Sequence, residues 1–404
     1  MRMKLNRGKR DVFRKRNPLP KILGWSLAAA AIVAVGFFGA KWLSERPVID
    51  PVPEDLPAAT QPADTTTTST TEKPREEAAI SQVKGFYLPH AALKSDTLTD
   101  TLSAAADAGF NAVVFDLKDM EGRLYYRFSS ETAKAVNSYT DNALTKQELK
   151  DLFSAIKKAG LTPIPRLHAF RDHLGAKALA NARIGHVSNA GWVWYDGDPN
   201  NGGKAWLNPY DSDAHAYLIS LAKELKKQGA GAIMLDSVHF PKQISSANFG
   251  ADKGTKKEEE ALTAFVLATR EALGDTCPVM LSCTAEGALG TATQVYYGNP
   301  RTFGADMLSP TIFPADLPAK IKVGKNTIDN TPDTLQSTVK AMVSQMILLT
   351  KVLKDDAPTV TPWLQVDGYT AAQVTAEIKG CQEGGSECYI LYSPKGKYDF
   401  GAYS

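Results

Sequence analysis

Eight short apolar runs, separated by segments of helical period, constrain this chain more than any other feature. They are "KGFYLP" (84–89), "NAVVFDL" (111–117), "LTPIPRL" (161–167), "GAIMLDS" (231–237), "CPVMLSC" (277–283), "ADMLSP" (305–310), "TVTPWLQV" (359–366) and "CYILYS" (388–393). Between them lie "TLTDTLSAAADAG", "TKQELKDLFSAIKKAG", "DAHAYLISLAKELKKQGAG", "KKEEEALTAFVLATREALG", "TLQSTVKAMVSQMILLTKVL" and "TAAQVTAEIKGCQEGG". Glycine closes most of these segments, as a left-handed helix end requires. Strands alternating with helices predict a parallel sheet, because a parallel pair needs a long crossover. Eight of them within roughly 320 residues predict a closed (β/α)8 TIM barrel. The segment after the fifth strand is the weakest helix of the set.

In such a barrel the strand interiors fill the core, and chemistry gathers at the C-terminal strand ends. "GAIMLDSVHFP" (231–241) is the sharpest case: four apolar residues run straight into Asp236. The same frame places other polar residues on that rim. Two-residue alternation puts Asp116 and Lys118 on one face of the second strand, and Arg166 and His168 on one face of the third. Trp363, Gln365 and Asp367 share a face at the end of the seventh, Glu286 follows the fifth, and His239 follows Asp236. Any one of these could be a satisfied structural group, but their collection at one end favours a site.

The long loop after the third strand, "SNAGWVWYDGDPNNGGKAWLNPY", holds Trp192, Trp194 and Trp206 in a polar, glycine-rich setting. Flat aromatic faces there would suit the C–H faces of sugar rings, with polar neighbours for the hydroxyls. The competing expectation is that two of them pin the loop to the barrel.

The N-terminal part has a different character. Nine of the 46 Lys and Arg residues fall in residues 1–21, against one of the 44 Asp and Glu. The rest of the chain is slightly acidic and carries no electrostatic footprint for nucleic acid. Ile22 to Ala40 is uncharged and long enough to span a bilayer, with Trp25 and Trp42 near its ends. We therefore expect a basic cytoplasmic tail (1–21), an uncleaved membrane anchor (22–43), a Pro/Thr-rich stalk with too little to bury (44–82), and a barrel (83–404) outside the membrane. The four cysteines lack metal spacing. Cys381 and Cys388 bracket a Gly-containing loop where an exported domain could form a disulfide, although buried thiols are the favoured reading.

Several segments together resemble a known family. "KGFYLP", "NAVVFDLKDMEGRLYY", "TPIPRLHAF", "GWVWYDGDPNNGGKAWLNPYD", "GAIMLDSVHFP", "ADMLSPTIFP" and "TPWLQV" occur in the order of a family of exported TIM-barrel domains related to glycoside hydrolases. The likeness covers about residues 83–400, and its specific marks are Trp-x-Asn-Pro-Tyr and Asp-x-x-x-Phe-Pro. It implies a carbohydrate substrate and supports Asp116, Lys118, Arg166, Trp206, Asn208 and Asp236 as rim residues. The family pattern Tyr-x-Arg-Phe-Pro after the strand-four Asp is changed here, with Ser237 and His239 in place of Tyr and Arg. Thr284 stands where an acid is often found, and Glu286 lies two residues on.

Glycoside hydrolysis uses two carboxyl groups, one to protonate the leaving oxygen and one as nucleophile or base. The expected catalytic set is Asp236, then Asp116 and Glu286. Lys118, Arg166, His168, Trp194, Trp206, Asn208, His239, Gln365 and Asp367 are the expected substrate contacts. No cofactor and no metal are expected, since strand one ends in the single His90 rather than a His-x-His pair. The alternative is a non-catalytic barrel that binds cell-wall glycan.

Overall fold

A computed structural model describes residues 79–291 and 294–403. The expected tail, the apolar span at 22–43 and the stalk up to residue 78 lie outside the described residues. Among the described residues no helix is long and apolar enough to cross a membrane.

The eight apolar runs form eight parallel strands: β1 (Lys84–Leu88), β2 (Ala112–Lys118), β3 (Thr162–His168), β4 (Ile233–Asp236), β5 (Val279–Thr284), β6 (Met307–Ile312), β7 (Trp363–Gln365, preceded by the short stretch Thr359–Val360) and β8 (Tyr389–Tyr392). Each pairs with its sequence neighbour, and β1 pairs with both β2 and β8, so the sheet closes. A closed sheet has no edge, and burial on both faces explains why the strands read as continuous apolar runs. Every residue of β2 is buried.

Alternation divides the strands between two cores. Val83, Tyr87, Ala112, Val114, Ile164, Ala232, Met234, Met280, Met307, Trp363 and Ile390 fill the barrel interior. Residues of the opposite parity, such as Val113, Phe115, Ile233 and Leu235, pack against the helices. The helices packed between successive strands are α1 (Leu98–Asp107), α2 (Lys146–Lys158), α3 (Ser212–Gln228), α4 (Glu258–Leu273), α5 (Ala285–Leu289), α6 (Leu335–Thr350) and α7 (Ala371–Glu383), and two short ones, Glu131–Val136 and His173–Ala178, lie in the loops after β2 and β3. Their starts follow capping chemistry. Thr145 and Glu148 form a reciprocal capping box at α2, Thr370 and Gln373 another at α7, and Asp211 caps α3. The weak helix after strand five is the five-residue α5, which Gly290 ends in a left-handed conformation.

Two insertions build up the C-terminal end. After β2 a short strand (Leu124–Tyr126) pairs antiparallel with it. After β3 and β4, the stretches Gly185–His186, Asn189–Val193 and Ala247–Asn248 form a small three-stranded sheet. Just before β1, Ile80 packs on the barrel core and Asn111 Nδ2 donates to the Gln82 carbonyl at 2.9 Å. All four cysteines are buried free thiols, so Cys381 and Cys388 are not joined.

Candidate active site

The C-terminal mouth is organised around one guanidinium. Arg166, on the interior face of β3, donates from Nε to Asp116 Oδ1 at 2.5 Å and from Nη2 to Asp116 Oδ2 at 3.1 Å. Its Nη1 reaches Asp236 Oδ2 at 3.5 Å. The register explains the meeting: Asp116 lies beside Arg166 across β2–β3, and His168 beside Asp236 across β3–β4. The guanidinium lies over the rings of Tyr87 and Trp363, at 5.2 and 5.3 Å from their centroids. Planar Arg suits this arrangement of bidentate pairing and stacking, and Lys would not replace it.

The two carboxylates are held differently. Asp116 accepts both Arg166 bonds and a third from the Tyr87 hydroxyl at 2.8 Å. Burial alone would raise its pKa, but the charge and hydrogen bonds of Arg166 dominate and hold it below the ordinary carboxylate range. Asp236 is looser and more open, its side chain 21% exposed against 12% for Asp116. Its Oδ1 accepts from the Ser237 amide at 2.5 Å. Burial pushes Asp236 up, but His168, Arg166, Ser282 and the Ser237 amide outweigh it and bring it to about 2. Ser237 is a non-glycine residue at φ 53°, a left-handed turn directly after the carboxylate. His168 contacts Ser237 Oγ at 2.9 Å and lies 3.7 Å from Asp236. Burial lowers its pKa, against the opposing pull of Asp236 and Asp116.

Other expected site residues stand elsewhere. Lys118 does not face substrate: it is fully buried in an ion pair with Asp172 at 3.0 Å and donates to the His168 carbonyl. The loop after β3 folds over it, and Asp172, which caps the short helix His173–Ala178, supplies the counter-charge. Trp194 and Trp206 are 3% and 4% exposed and offer no open face to a sugar. Trp194 Nε1 donates to the Ser245 carbonyl and Trp206 Nε1 to Asp196, so each ring pins the loop. Asn208 also does loop work, donating to the Phe249 carbonyl and accepting from the Tyr210 amide. His239 is half-buried between the rings of Trp206 and Tyr296.

Gln365, Asp367 and Glu286 remain near strand ends. Gln365 Oε1 has no hydrogen-bond partner among the described residues, while its Nε2 donates to the Asp367 carbonyl. Asp367 is half-exposed and paired with Lys395 at 3.3 Å. Glu286 is half-buried in the first turn of α5, and its carboxylate makes no hydrogen bond or ion pair among the described residues.

Aromatic residues at the mouth went unread in the sequence. Phe313 stacks on Tyr392 at 5.4 Å and 19°, and Tyr392 packs on Tyr87 and Trp363. Phe313 and Tyr392 are half-exposed, so the mouth has an aromatic wall at β6–β8. The available signal was parity: Tyr87, Trp363 and Tyr392 share the interior face of their strands with the core residues. A separate cavity of about 530 Å³ lies at the opposite end, against the starts of β3, β4 and β5. That end of a barrel serves stability rather than chemistry. No group of three or more His, Cys, Asp or Glu among the described residues could hold a metal.

Comparison with known proteins follows this geometry. No curated protein matches the chain. A hypothetical protein from Ruminiclostridium thermocellum ATCC 27405 aligns at 24% identity and a TM-score of 0.41, over 48% of this chain and 96% of its own. The α-galactosidase TtGalA from Thermus thermophilus aligns at 12% identity and a TM-score of 0.47, covering 79% of this chain and 59% of its own. The glycoside hydrolase domain of PelA from Pseudomonas aeruginosa aligns at 14% identity and a TM-score of 0.41, covering 79% and 97%. The profile of the family described as "Putative glycosyl hydrolase domain" matches residues 85–398, the barrel almost from end to end, and the chain belongs to that family.

Proposed function

We propose that the barrel hydrolyses a glycan at its C-terminal mouth, with Asp236 as the carboxylate that acts on the sugar. The observation that carries this reading is the division of labour on one guanidinium. Asp116 is saturated by Arg166 and Tyr87, whereas Asp236 keeps an open flank and stays ionised. An ionised carboxylate suits a nucleophile or a base for water, not a general acid. Asp116 then holds Arg166 in place, and Arg166 in turn orients Asp236. The acid must come from a different carboxyl, and Glu286 is the candidate because α5 follows β5, the strand beside β4. Phe313 and Tyr392 supply the apolar wall for a sugar ring.

The test is turnover by the full chain and its Asp236→Asn variant across a glycan panel, with product detection by chromatography. Cleavage of at least one glycan by the parent and loss in the variant supports the reading. Glycan binding without turnover by the parent would make the barrel a binding module instead. The basic tail and the apolar span at 22–43 support a further part of the proposal, a membrane tether that presents the barrel to extracytoplasmic glycan.

A further inference from the structure

We infer that the small three-stranded sheet beside the mouth carries a second glycan-binding site, built from Trp192 and a polar pocket around Arg183. The class of ligand rests on the proposed glycan reading, but the site shares no residue with the Asp116–Arg166–Asp236 cluster.

Two independent features point there. Of the three loop tryptophans, Trp192 alone is open, at 60% exposure, while its two companions are buried. It sits on the edge run Asn189–Val193, which pairs with the central run Gly185–His186, itself paired with Ala247–Asn248. The His186 ring lies against it at 6.2 Å. A rigid aromatic face needs little ordering on binding, so its contact area converts efficiently into affinity.

The second feature is a pocket of about 230 Å³ on the same insertion, whose polar lining includes Asn181, Arg183, Asn208, Asp211 and Asn248. It is too small for a drug-sized molecule and suits about one sugar ring or part of one. Amide, guanidinium and carboxylate groups together offer donors and acceptors at planar spacing, which matches sugar hydroxyls rather than an anion or a cation alone. Arg183 joins the two features. Its Nη2 donates to the carbonyl of Gly191, next to Trp192, at 2.8 Å, while its buried Nε makes no hydrogen bond among the described residues. The side chain that lines the pocket is thus hydrogen-bonded to the strand that carries the tryptophan. Both loops leave the C-terminal ends of β3 and β4, the end that carries the mouth. A polymer could therefore be gripped at Trp192 while a distant residue of the same chain is cleaved.

The test compares the full chain with Trp192→Ala in two assays. Retention on insoluble polysaccharides is measured in an Asp236→Asn background, so that hydrolysis cannot alter the matrix. Activity on a short aryl glycoside or disaccharide is measured with Asp236 intact. Retention should weaken roughly tenfold on loss of the indole, while kcat/KM on the short substrate should be unchanged. Arg183→Met should weaken retention in the same direction. Equal retention of the parent and Trp192→Ala would overturn the inference, as would failure of the parent to bind any polysaccharide. Failure of the catalytic reading would show separately, as unaltered turnover by Asp236→Asn.

Discussion

Asp236 and Lys118 show how differently two charges at neighbouring strand ends can be used. Asp236→Asn should lower turnover by about 10²–10⁴-fold or more, measured as kcat on whichever glycan the parent cleaves. The variant will not be neutral for folding. Its depressed pKa of about 2 means the ionised group contributes stability in full above its unfolded value near ~4, and loses it as pH falls towards about 2. The parent should therefore show a stability loss across that acid window that Asp236→Asn lacks, read from denaturant midpoints at stepped pH. Lys118→Met should be a folding defect instead. It leaves Asp172 charged and buried without its ion-pair partner, which costs about 3–5 kcal/mol. Lys118→Met combined with Asp172→Asn should recover part of that loss, because Asn can still cap the Gly175 amide. A lone Lys118→Met that unfolds at the parent's denaturant midpoint would contradict this account.

At the scale of elements, α7 carries an unusual load beneath the mouth. Glu377 is fully buried, and its Oε2 accepts from the Gln365 amide at 2.8 Å where β7 ends. Burial raises its pKa well above normal, against the opposing effect of bonds from Gln365 and Tyr369. A carboxyl that is neutral in the fold but ionises when unfolded costs stability as pH rises above its unfolded value near ~4.3. Glu377→Gln keeps the acceptor and removes that cost. It should raise stability at pH 7 and flatten the decline that begins above the unfolded value; an unfolding free energy below the parent's at pH 7 would count against the argument. The eight strands and six long helices were legible because burial on both faces leaves unbroken apolar runs and amphipathic faces leave a 3.6 period. Period-two parity also brought Asp116, Arg166, His168 and Asp236 together. It did not reveal that Lys118 is covered, because Asp172 comes from a loop whose path no periodicity describes. Nor did it reveal that Trp194 and Trp206 are buried. The polar context of Trp206 supplies its acceptor Asp196, whereas Trp194 donates to a backbone carbonyl, that of Ser245, from the distant loop after β4.

The whole molecule places its chemistry and its chain entry at opposite ends. The mouth lies at the C-terminal ends of the strands, whereas Ile80 lines the cavity against the starts of β3 to β5. Nine basic residues ahead of an apolar run of membrane length favour retention of the N-terminus in the cytoplasm. We propose from composition alone that protease cuts in the Pro/Thr-rich stretch that follows. Val83 is fully buried and Ile80 packs on the barrel core, so cleavage well before them should not disturb the fold. Protease added to intact cells should therefore release a stable soluble fragment that begins near residue 80 and keeps its melting temperature. Cleavage seen only after the cells are opened, while an external control protein is cut beforehand, would place the barrel inside and overturn the proposed topology. Release of a fragment that melts well below the parent would instead show that residues before 79 contribute to the barrel's stability.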